Sequence, residues 1–272
     1  MTDYISTIKQ AKVFQDLAEQ ENLNDIFNRH LPTKQGHNYL PLYQRHFETN
    51  RLNVKKVLEI GVESGTSLRM WSEYFPNAEI YGFDIEPECK LCETDRIKVI
   101  IGDQCSQTDM EMLPNDFDII IDDGLHSIKS QLSCFEFLFK NKLSETGIYV
   151  VEDVIGATKV IEFFNNLALL NNYWPEGESG SIWSSMNSFN DFLKKDMNKK
   201  SEEDIYYIKN ILGVAIYRHL IFIDKGKNPE QGQASLRINN PDTWKAIGSV
   251  RNNFLETTSF IPTSEKTKLP KK

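Results

Sequence analysis

The chain has 272 residues, enough for one large α/β domain with extra elements or for two small domains. Apolar residues make up 40%, as in ordinary globular proteins, and a net charge of −8 argues against a general nucleic-acid binder, which would carry a basic stripe. The opening MTDYISTIKQAKVFQD lacks the apolar core of a secretion signal, and no run is long enough to span a bilayer, so a cytoplasmic protein with no membrane partner is expected.

In chain order, residues 4–31 carry apolar positions at helical spacing (Ile5, Ile8, Val13, Phe14, Leu17, then Leu23, Ile26, Phe27, Leu31) and predict one or two helices that end at Pro32. HNYLPLYQRHF predicts a further helix after Pro41. From residue 55 the pattern becomes strand–helix alternation. KKVLEIGV (55–62), AEIYGFDI (78–85), IKVIIGDQ (97–104), FDIIIDDG (117–124) and TGIYVVEDV (146–154) are five short apolar runs. SGTSLRMWSEYF (64–75) and SIKSQLSCFEFLFKNKL (127–143) have helical stripes between them. This alternation indicates a parallel sheet covered on both faces. ATKVIEFFNNLALL reads as helical, SEEDIYYIKNI as a helix or a lead-in, and LGVAIYRHLIFIDKG (212–226) as a tight antiparallel hairpin. The expected organisation is an N-terminal helical extension (1–50), an α/β domain (51–227) and a C-terminal extension (228–272).

The four cysteines are Cys89, Cys92, Cys105 and Cys134. Cys89 and Cys92 form a lone C-x-x-C with no second pair or nearby histidine to complete a zinc site, so reduced thiols without a metal role are expected.

Chemistry concentrates where the strands stop. Ligands of open parallel sheets bind beyond the carboxyl ends of the strands, and here those ends supply Glu59, Asp84, Asp103, Asp122, Asp123, Glu152 and Asp153. Glu59 opens a glycine turn, LEIGVESGTS. In it Gly61 and Gly65 allow a tight reversal and close backbone approach to a ligand. Asp84, ending the second strand, is placed to grip ribose hydroxyls. A nicotinamide dinucleotide would favour G-x-G-x-x-G, whereas this turn holds Glu63. S-adenosyl-L-methionine carries a sulfonium and an ammonium group, which an acidic crevice attracts.

In order along the chain, VLEIGVESGTSLRMWSEYFPNAEIYGFDIEP, IKVIIGDQ, FDIIIDDGLHS, GIYVVEDV and GVAIYRHLIFIDKG resemble a class I S-adenosylmethionine-dependent methyltransferase. More narrowly, the chain resembles the metal-dependent sugar O-methyltransferases of the macrocin and mycinamicin type and the family named after cephalosporin hydroxylase. The likeness runs over roughly 36–227, and its most specific element is D-D-G-x-H followed one strand later by E-D. It implies a doubly wound, mostly parallel seven-stranded Rossmann-like sheet closed by an antiparallel C-terminal hairpin. It also implies transfer of a methyl group to a hydroxyl of a sugar, sugar nucleotide or glycosylated small molecule.

Carried over by position, Glu59, Gly61 and Gly65 would form the cofactor turn, Asp84 would hold the ribose, and Asp103 with Gln104 would meet the adenine. Asp123, Glu152 and Asp153 would bind Mg2+, and His126 would be the general base. Leu125 stands where D-D-G-S-H has serine.

Other readings stay open for several residues. Asp122 fits the cofactor floor or a structural cap, and His126 a helix start. His37, Tyr39 and Tyr43 fit an acceptor pocket or, better, a packed helix. Trp174 and Trp183 fit a lid or ordinary packing. A nicotinamide oxidoreductase, a methyltransferase for another acceptor and a non-catalytic binding module remain as rival functions. Oligomeric state, including a homo-oligomer, is open.

Overall fold

The computed structural model describes residues 21–32, 37–171 and 201–227. The expected helix over 4–20, Trp174, Trp183 and the segment after 227 lie outside them. Seven strands form one sheet: β1 (Lys56–Ile60), β2 (Glu79–Asp84), β3 (Ile97–Ile101), β4 (Phe117–Asp122), β5 (Leu143–Val151), β6 (Ile211–Tyr217) and β7 (Leu220–Lys225). Their order is β3-β2-β1-β4-β5-β7-β6. β1 to β5 pair in parallel, and β7 pairs antiparallel with both β5 and β6. This is the sheet predicted from the strand–helix alternation and the terminal hairpin. The order reverses direction between β1 and β4, which makes that edge the topological switch point where ligands bind.

The helices are α1 (Leu23–His30), α2 (Leu40–Phe47), α3 (Thr66–Tyr74), α4 (Gln107–Glu111), α5 (Ile128–Asn141), α6 (Thr158–Asn171) and α7 (Glu202–Asn210). SEEDIYYIKNI is thus a helix, opened by a reciprocal capping box between Ser201 and Asp204. Ser127 with Ser130 caps α5 in the same way. β5 begins earlier than its apolar run, because Leu143 already pairs with Phe117 across an irregularity in the register. Among the described residues no helix is long and apolar enough to cross a membrane.

Strand side chains alternate between faces, and the core divides accordingly. One layer holds Val57, Ile119, Ile121 and Val150 with Trp71 of α3 and Tyr43 and Phe47 of α2. The other holds Leu58, Ile60, Ile120, Tyr149 and Val151 with Cys134 and Phe135 of α5. α1 and α2 belong to the first layer rather than standing apart: Leu23, Ile26 and Phe27 are buried in it, and His30 Nε2 lies 2.6 Å from Glu73 Oε2 on α3. Buried Arg51 donates from Nε to Tyr74 O at 2.6 Å, with its guanidinium 4.2 Å from the Tyr74 ring centroid. His46 of α2 stacks on Phe222 of β7 at 3.9 Å and 6°, which seats α2 against the hairpin end of the sheet.

Candidate active site

The register levels the strand ends. Ile60 pairs with Phe83 and with Asp122, and Asp122 pairs with Val151. One residue further on, Gly61 N donates to Phe83 O (2.9 Å), Asp123 N to Ile60 O (3.0 Å) and Glu152 N to Asp122 O (2.9 Å). Gly61, Asp123 and Glu152 therefore lie side by side at the switch point.

Parity then sorts the acids. Glu59 shares a face with Val57, Asp123 with Ile121, and Glu152 with Val150, so these three turn to the layer that holds α2 and α3. One oxygen from each of Glu59, Asp123 and Glu152 lies within 4.8 Å of the others. Glu59 and Glu152 are buried. Glu59 accepts from Ser67 Oγ at 2.6 Å and from Trp71 Nε1 at 3.3 Å. Glu152 Oε1 accepts from the Tyr43 hydroxyl. Burial pushes that phenol's pKa well above its usual value, with the Glu152 charge adding to the effect, so Tyr43 remains a donor.

Asp153 leaves the strand path with φ +53 and joins a second group, Asp123 with His126 and Asp153, again within 4.8 Å. Its Oδ1 accepts from the Tyr39 hydroxyl at 2.7 Å and lies 2.8 Å from His37 Nδ1, while Oδ2 lies 3.7 Å from His126 Nε2. The acids expected around one ion are thus found in two sets that share Asp123, the inner one including Glu59. Glu152 keeps the parity of β5 while Asp153 turns off the strand path at φ +53, which is why the two fall in different sets. His126 sits on the exposed loop between β4 and α5, between Leu125 and the Ser127 cap.

Asp122 has the opposite parity and is buried on the α5 side. Gln104 Nε2 is 3.5 Å from its Oδ1, and the buried Tyr149 hydroxyl lies against the Asp122 carboxylate. Burial pushes the Asp122 pKa up to about 7; the Gly124 amide and the Gln104 amide oppose the rise, and the Asp123 charge adds to it.

The glycine turn is built around Asp84. Its Oδ2 accepts from Val62 N (2.6 Å) and Glu63 N (3.3 Å), and Oδ1 from Glu86 N (3.0 Å). Burial raises its pKa, but these backbone donors outweigh that and hold it below the usual carboxylate range. Gly61 has φ +85, and a β-carbon there would run into the carbonyl of Asp123. Gly65, φ +68, heads α3, and a β-carbon there would meet the Cys92 thiol. That contact gives Cys92 a packing role beside the turn, Cys89 Sγ lies 3.6 Å from Glu63 O, and all four cysteines are free thiols.

Asp103 Oδ1 accepts from Cys105 N at 2.8 Å. Gln104 braces two loops, since its Oε1 accepts from Leu125 N and its amide reaches Asp122. Asp103 and Gln104 follow β3, two strands from the inner acid set.

No family model matches the chain. Demethylmacrocin O-methyltransferase of Streptomyces fradiae is 32% identical over 234 residues, covering 78% of this chain and 55% of that protein. An 8-demethyl-8-(2-methoxy-alpha-L-rhamnosyl)-tetracenomycin-C 3'-O-methyltransferase of Streptomyces olivaceus is 31% identical over 223 residues, covering 77% and 55%. The MycE methyltransferase from the mycinamycin biosynthetic pathway, solved in complex with Mg and SAH, superposes with a TM-score of 0.62 at 25% identity. That match covers 85% of this chain and 61% of MycE. The chain is a homologue of the macrocin- and mycinamicin-type O-methyltransferases. It spans about half the length of the curated relatives it matches. Within this methyltransferase fold, sequence reasoning undervalued Tyr39 and Tyr43, whose hydroxyls meet two of the acids. It also assigned Glu59 to the cofactor turn alone. Strand parity was the signal that could have joined Glu59 to Asp123 and Glu152.

Proposed function

We propose that the protein is an S-adenosyl-L-methionine-dependent, Mg2+-dependent O-methyltransferase acting on a hydroxyl of a glycosylated small molecule. The observation that carries this reading is the pair of overlapping sets, Glu59–Asp123–Glu152 and Asp123–His126–Asp153, that share Asp123 at the β1/β4 switch point, beside a glycine turn. The residues fit both absent groups. Carboxylate oxygens are the donors a hard cation takes, and closely set carboxylates favour positive charge among them. Gly61 and Gly65, held at positive φ against Asp123 and Cys92, set the path of the turn, and the free amides at the head of α3 suit an anionic group such as a cofactor carboxylate.

Asp123, Glu152 and Asp153 would hold the Mg2+, and Glu59 with the Gly61–Gly65 turn would take the methionine end of the methyl donor. Asp84 would face the ribose while tying down the turn, and Asp103 and Gln104 would border the adenine. A bound Mg2+ supplies Lewis acidity to a chelated hydroxyl. Methyl transfer is an in-line displacement, so the chain's main task is to hold the acceptor oxygen in line. His126 receives the hydroxyl proton on the ring nitrogen turned away from Asp153, whose Oδ2 lies 3.7 Å from Nε2 and orients the imidazole. The rhamnosyl group in the name of one relative's acceptor supports a sugar hydroxyl as the nucleophile.

Titration calorimetry with S-adenosylhomocysteine should give a binding heat. Methyl transfer to rhamnosylated acceptors should stop in EDTA and return with Mg2+. Absence of any heat, or full activity in chelator, contradicts the proposal at the cofactor and the metal respectively.

A further inference from the structure

Helix α2 lies outside the sheet, yet its residues reach the acids of the site. The Tyr43 ring packs edge-on against Trp71 (5.0 Å, 68°) and Phe222 (5.6 Å, 74°), contacts a phenylalanine would make equally well. What the tyrosine adds is a fully buried hydroxyl that donates to Glu152 Oε1. Trp71, touching the same ring, donates from Nε1 to Glu59 Oε1 at 3.3 Å. Two aromatic residues from different helices, packed on each other, thus each give one donor to one buried acid of the same cluster. One turn earlier, Tyr39 gives its hydroxyl to Asp153 Oδ1 at 2.7 Å.

We infer that Tyr43, with Tyr39 beside it, is a positioning residue for this site, so that α2 completes the methyl-transfer centre instead of merely covering the sheet. A hydrogen bond to one oxygen of a carboxylate fixes the plane of the group and therefore the direction of its other oxygen. Partners of this kind behind metal-binding carboxylates change metal affinity by about 10–100-fold when removed. The inference rests on the proposed Mg2+ role of Glu152 and Asp153.

The test titrates Mg2+ calorimetrically into the S-adenosylhomocysteine-loaded protein, comparing the native chain with Tyr43→Phe and Tyr39→Phe. Melting temperature is the control for folding, and S-adenosylhomocysteine affinity is measured separately in EDTA. Tyr43→Phe should need roughly 10–100-fold more Mg2+ for half-saturation, while its affinity for S-adenosylhomocysteine in EDTA stays near native. Tyr39→Phe, whose ring lies nearer the exposed His37, should shift the Mg2+ requirement in the same direction and carries the test if Tyr43→Phe does not fold. An unchanged Mg2+ requirement in a folded variant, with native Mg2+ binding intact, overturns the positioning role alone. If the native protein gives no Mg2+ heat, the metal assignment itself fails and this inference fails with it.

Discussion

Asp153 holds a left-handed backbone conformation that costs a non-glycine residue about 1–3 kcal/mol. Three contacts sustain it: the Tyr39 hydroxyl, His37 and, more distantly, His126. Asp tolerates this region better than most residues because its short polar side chain bonds locally. His126 owes its freedom to its place on an exposed loop, where it can approach a substrate hydroxyl. Replacing His126 with Ala should lower kcat by about 10²–10⁴-fold and leave S-adenosylhomocysteine affinity near native, as read by steady-state kinetics beside calorimetry. An unaltered kcat would remove His126 as the base. At this scale the sequence was readable where a motif was local: D-D-G-x-H and E-D name their residues directly. It was unreadable where the contact was distant in the chain, as for Tyr43 with Glu152. Nothing near Tyr43 distinguishes a hydroxyl that serves an acid from a ring that fills a core, because both roles share one helical spacing.

Each strand contributes its end as a unit, and the turn after β1 shows how element geometry constrains chemistry. Gly61, Glu63 and Gly65 all have positive φ. Glu63 takes the conformation that a glycine adopts without strain, so the turn keeps its path with a side chain at that position. Gly61 has no such latitude, since a β-carbon would collide with the Asp123 carbonyl as well as strain the backbone. Gly61→Ala should therefore destabilise the fold by at least about 2 kcal/mol and abolish S-adenosylhomocysteine binding, measured by denaturant melts and calorimetry. A stable variant with native affinity would contradict this account of the turn. Strand existence and sequence order were legible because apolar runs, glycine and terminal acids recur together. Which acids share a space depended on parity within β1, β4 and β5, and then on the departure from parity at Asp153, which no spacing rule conveys.

Across the whole molecule, the sheet order brings residues from β1, β4 and β5 to one edge, although they are far apart in sequence. The N-terminal helices join the same core layer as α3 and the hairpin, so the site depends on contacts between the first fifty residues and strands more than one hundred residues later. The hairpin after β5 was predictable from two β-rich runs around Arg218 and His219, but its docking beside β5 is a property of the complete sheet. The acidic inner group, with two of its members buried, is where the proposed Mg2+ would enter the switch point. A crystal grown with S-adenosylhomocysteine and Mn2+ in place of Mg2+ measures that directly through anomalous scattering. The account predicts one strong anomalous peak bonded to Asp123 and to Glu152 or Asp153, beside the sulfur of the bound nucleoside. Density for S-adenosylhomocysteine with no anomalous peak among these carboxylates would contradict it.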